Sequence, residues 1–124
     1  MTILSTRILE PNLLDHGKLL ITSGMQHWLE TGIEPWADQP KENVFDEMWR
    51  RHYLSVIVTS HIKGDAGDTD EQDHLLNFEA FANPGEGYRV FTVWDRNNVG
   101  KIYAITSDYG GEEAYLTVMF AHEY

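Results

Sequence analysis

Asp65, Asp68, Asp70, Glu71 and Asp73 place five carboxylates within nine residues, and His74 follows at once. Like charges packed this closely repel one another, so they stay ionised where water, a bound cation or a basic partner screens them. Asp108, Glu112 and Glu113 repeat the sign on a second turn-rich segment. The whole chain carries a formal net charge of -11, and residues 63–124 hold -8 of it against -3 for residues 1–62. Such a surface disfavours bare nucleic acid and anionic membrane, and it suits a basic protein surface.

Other chemistries fare less well on residue type and spacing. With no cysteine, disulfides, thiolate zinc sites and cysteine nucleophiles are excluded. The six histidines contain no His-x-x-x-His or His-x-His pair, so a metal site would need distant segments, such as Asp70, Asp73 and His74 with His52 or His61. His52 also reads as a hydrogen-bonded histidine on the apolar stripe of a helix. The acidic run lacks the one-three-five spacing and the glycine of a calcium loop. Gly85-Glu86-Gly87 and Gly110-Gly111 read as hairpin turns, without the helix N-terminus a phosphate loop needs. No serine sits in a nucleophile elbow. No cofactor and no catalytic residue is therefore expected. Trp36, on a Pro/Gly segment, is the candidate exposed aromatic contact.

The elements that would position these residues follow from periodicity. At 124 residues the chain suits a single domain, expected to divide into a helical part, about 1–63, and a sheet part, about 74–124. Ile8, Leu9, Leu13 and Leu14 suggest a short helix within 5–16. Lys18–Thr22 is strand or helix, and Met25–Glu30 is helical. A longer helix should start near Pro40, capped by Asp38. Its apolar stripe should be Val44, Phe45, Met48, Trp49, His52, Tyr53 and Val56, with Arg50 and Arg51 on the far side. Leu75–Phe81, Tyr88–Trp94, Lys101–Thr106 and Ala114–Phe120 alternate and are separated by turn clusters, which indicates strands. The expected fold is α+β: N-terminal helices on one face of a four-stranded antiparallel meander. No secretory leader and no apolar run of membrane-spanning length is legible, so a cytoplasmic location is expected.

Two terminal segments carry a resemblance. Gly17-Lys18-Leu19-Leu20-Ile21-Thr22-Ser23-Gly24 and Leu116-Thr117-Val118-Met119-Phe120-Ala121-His122-Glu123-Tyr124 are similar to motifs of a family of small uncharacterised proteins borne on bacterial plasmids and other mobile elements. Asp70-Glu71-Gln72-Asp73-His74 leading to Phe78-Glu79 resembles that family's acidic middle anchor, without its glycines and first histidine. The resemblance implies a mobile-element setting, in which small acidic proteins are often inhibitors of host defence. It transfers no catalytic residue. The expectation is a non-enzymatic interaction protein whose acids at 65–73, with Asp108, Glu112 and Glu113, mimic DNA towards a basic, nucleic-acid-binding host protein. The rival expectation is a small metal- or ligand-binding enzyme built on His74 and neighbouring acids.

Overall fold

The computed structural model describes residues 3–7, 14–33 and 45–124. Trp36, Asp38, Pro40 and Val44 lie outside the described residues, as does 8–13 of the expected first helix. In chain order the elements are β1 (Ile3–Arg7), β2 (Lys18–Thr22), α1 (Ser23–Thr31), α2 (Glu47–Ile62), α3 (Glu71–Ala82), β3 (Val90–Arg96), β4 (Gly100–Ser107) and β5 (Tyr115–Phe120). Short 3-10 turns at Leu14–His16 and Ala121–Glu123 complete them. The α+β class holds. The antiparallel meander does not: among the described residues five strands form one sheet in the order β1-β2-β5-β4-β3, and β2 runs parallel to β5.

Two expectations are corrected at once. Residues 5–7 of the expected first helix belong to β1, which pairs antiparallel with β2. The N-terminal part is thus not purely helical, because β1 and β2 extend the sheet formed by β3, β4 and β5. Leu75–Phe81, expected as a strand, lies inside α3. Its alternation was misleading: Leu76 and Phe78 are exposed, while Asn77 and Ala80, three apart, are buried. Asp70 settles the competition locally. Its Oδ1 accepts from Asp73 N at 2.8 Å, which satisfies an amide that no helical carbonyl can reach.

The other ends are set by similar chemistry. Thr22 caps α1 by accepting from Met25 N, and Gly32, at φ 75°, ends it in the left-handed region while its N–H bonds Trp28 O. Asp46 caps α2 through Trp49 N at 2.8 Å. Gly17 is required before β2: a Cβ there would stand 1.9 Å from Ala114 O, against the turn that leads into β5. Leu19 and Ile21 of β2, Met25, Trp28 and Leu29 of α1, Ile57 and Val58 of α2, and alternate residues of β4 and β5 form the core on one sheet face.

The stripe of α2 is rotated from the expected one. Arg50, Ile57, Val58 and His61 are buried, whereas Met48 is 83% exposed and Val56 and His52 face water. Arg50 can be buried because its Nε and Nη2 donate to Leu29 O and its Nη1 to Phe45 O, so the charge meets one carbonyl in the last turn of α1 and one just before α2. Phe45, Trp49 and Tyr53 are stacked in series, with ring centroids 3.7 and 5.1 Å apart. They pack at the margin of the core and carry the Arg96 guanidinium over their faces.

Candidate functional site

The acidic segment is built onto the free edge of β3. Gly67 pairs in parallel with Val93, Asp68 N donates to Val93 O at 2.8 Å, and Thr69 Oγ1 accepts from Val93 N at 3.0 Å. A side chain at Gly67 would collide with Val93 O and the Trp94 ring, and its φ of 58° also favours glycine. About two turns into α3, Asn77 covers a further stretch of the edge. Its Nδ2 donates to Phe91 O at 2.8 Å and its Oδ1 accepts from Phe91 N at 2.9 Å. An unpaired strand edge is a template for unwanted pairing, and this segment covers it.

Three of the five acids also hold the backbone in place. Asp65 Oδ1 accepts from Gly67 N, Asp68 Oδ2 from Asp95 N, and Asp70 caps α3. Glu71 and Asp73 lie in the first helical turn, where negative charge is favoured by the helix dipole. No described lysine or arginine comes within ion-pairing distance of any of the five; the ion pair among the described residues is Arg51–Glu47, at 3.6 Å on α2. Asp65, Asp68, Asp70 and Glu71 are exposed and Asp73 is half-buried. Beside it, the outer face of α3 carries Glu71, Leu75, Phe78 and Glu79, with Leu76 at its flank. Leu75, Leu76 and Phe78 are 60%, 50% and 57% exposed.

Asp108, Glu112 and Glu113 are not part of that cluster. Asp68 bonds Asp95, which lies opposite Lys101 near the start of β4, whereas Asp108 follows the last residue of β4. Seven residues of strand separate the two positions, roughly 20 Å. His74 is half-buried on α3, packs its ring on Phe78 with centroids 4.8 Å apart, and lines a cleft of about 200 Å³ with Lys63, Asn77 and Phe81. Among the described residues no three histidine, aspartate or glutamate side chains come together as metal ligands. His61, one of the partners considered for such a site, lies in the core.

That core histidine belongs to a buried polar chain which sequence reasoning missed. Trp94 Nε1 donates to Thr92 Oγ1 at 2.9 Å, and Thr92 Oγ1 meets His61 Nδ1 at 2.7 Å. His61 Nε2 meets Thr106 Oγ1 at 2.8 Å, and the same oxygen meets His16 Nδ1 at 2.7 Å. Each threonine hydroxyl can both donate and accept, so the two rings and the two hydroxyls satisfy one another along the chain. Both rings are neutral. Burial lowers the His16 pKa and pushes that of His61 down to about 3, the neighbouring ring adding to the effect on His61. The signal for His61 was its place four residues after Ile57 on the α2 stripe. Nothing local marks His16.

No family model, curated protein or solved structure matches the chain. Among the described residues no helix is long and apolar enough to cross a membrane.

Proposed function

We propose that this chain is a protein-interaction module that docks a basic, partly apolar surface of another protein against the N-terminal half of α3. The observation that carries this reading is the conjunction, at one helix and the segment leading into it, of carboxylates without an ion-pair partner among the described residues and of exposed Leu75, Leu76 and Phe78. Acids steer a cationic partner and give salt-dependent association, while a contiguous apolar patch supplies area to bury. A nucleic-acid-binding protein is the favoured class of partner, because an extended basic groove is long enough to meet both the 65–73 acids and Asp108, Glu112 and Glu113. The resemblance to mobile-element proteins supports the same class and an inhibitory role towards host defence.

The test uses the acids' own geometry. Amides at positions 65, 68, 70, 71 and 73 keep an acceptor oxygen for each backbone bond and for the α3 cap, so the fold should survive while the charge is lost. A partner captured from host lysate at about 50 mM salt should be released near 500 mM, where screening reaches down to a few ångströms. It should bind neither the five-amide variant nor a Leu75→Ser/Phe78→Ser variant. Undiminished capture by the five-amide variant would overturn the proposal.

A further inference from the structure

The sheet face turned away from α1 and α2 holds a second feature, independent of the acidic segment. Along β5 the side chains alternate: Leu116, Val118 and Phe120 join the core, and Tyr115, Thr117 and Met119 face the other way. Opposite them on β4 stand Ser107, paired with Tyr115, and Ile105, paired with Thr117. These two rows, with Arg89 and Tyr124, line a cleft of about 310 Å³. That volume lies at the small end of ligand-binding clefts.

Thr117 makes the cleft more than a surface groove. The residue is 3% exposed, its Oγ1 is buried, and that oxygen has no hydrogen-bond partner among the described residues. Native structures rarely leave a buried hydroxyl unpaired, because removing it from water without a partner is unfavourable. Glu123 also borders the cleft, but most of its acceptor capacity is already used. Its Oε1 already accepts from Thr22 Oγ1 and Phe120 N, and its Oε2 from Gly24 N, so its charge is held at the start of α1. The available charge is positive. Arg89 is exposed, rests over Phe91 and gives one N–H to Tyr124 Oη at 3.0 Å, leaving further donors of its fork for a ligand. Tyr115 and Tyr124 are exposed at the rim, and Ile105 and Met119 form apolar walls.

From this arrangement we infer that the β4–β5 cleft binds a small aromatic monocarboxylate, about the size of benzoate. Its carboxylate meets Arg89 with one oxygen and accepts from Thr117 Oγ1 with the other, and its ring lies between Met119 and the rim tyrosines. The test is a titration of the full chain with benzoate, followed by amide chemical shifts. Saturable shifts should centre on residues 105–107 and 115–119, and Arg89→Gln and Thr117→Val should each weaken binding about tenfold, the scale of one lost charge-assisted or buried hydrogen bond. Benzyl alcohol, which keeps the ring and lacks the charge, should bind at least tenfold more weakly than benzoate. Absence of saturable shifts up to roughly 10 mM benzoate overturns the inference. Equal binding of benzyl alcohol also overturns it, as does unchanged affinity in Arg89→Gln, whose exposed position makes loss of folding no explanation. Thr117→Val should leave the melting temperature of the free protein unchanged or raised, since it removes an unpaired hydroxyl at nearly constant shape.

Discussion

His61 is 0% exposed and held between two threonine hydroxyls, which couples folding to acidity. In the unfolded chain the ring takes up a proton near pH 6.5; in the folded chain it does so only near pH 3. Between those values the unfolded state binds more protons, so stability is complete above pH 6.5 and is lost as the pH falls. The slope is about 1.4 kcal/mol per pH unit, or about 2 kcal/mol between pH 6.5 and 5. His16, shifted in the same direction, adds to it. Urea midpoints measured across that interval should show the decline. A His61→Phe variant should be destabilised at pH 7 but fall less steeply below it. Residue types alone could not reveal this chain, because Thr92, Thr106 and His16 reach His61 from three separate elements. His52 drew attention as the histidine on an apolar stripe, yet it faces water because Arg50, satisfied by Leu29 O and Phe45 O, takes the inward position.

Among the elements, α3 is the instructive one. Hydrophobic alternation over Leu75–Phe81 imitates a strand, whereas the Asp70 cap and the burial of Asn77 and Ala80 follow the helical period. The reading failed because it took apolar residues to be buried ones, and α3 turns its polar Asn77 inward to the β3 edge while Leu75, Leu76 and Phe78 remain outside. The later strands were legible: β3, β4 and β5 fall within about two residues of their expected bounds, where turn clusters at 83–87, 95–98 and 108–111 punctuate the alternation, although Asp95 and Arg96 prove to belong to β3. The parallel β2–β5 pair was not, since a register between remote segments leaves no local pattern. Asn77→Ala should cost about 2 kcal/mol by urea unfolding, two hydrogen bonds at roughly 1 kcal/mol each. It should also speed hydrogen exchange at Phe91 N and promote self-association through the uncovered edge. If Asn77→Ala leaves exchange at Phe91 unchanged, the side chain is not what closes that edge.

At the scale of the molecule, a net charge of -11 makes the folded state repel itself. Screening should relieve that strain, so raising sodium chloride from about 0.02 to 0.5 M should increase the melting temperature even as it weakens a basic partner's hold. A melting temperature that falls over this range would mean that attractive ion pairs outweigh the repulsion. The sheet topology bears on the chain's history as well as its stability. β2 lies between β1 and β5, and the carboxylate that completes the start of α1 belongs to Glu123, 101 positions after Thr22. A ribosome making this polypeptide delivers Leu19, Ile21, Met25 and Trp28 long before the strand that will shelter them has been translated. Throughout that interval the apolar side chains of β2 and α1, and the edge of β2 away from β1, lack their cover, and a chaperone or a protease has its opening then.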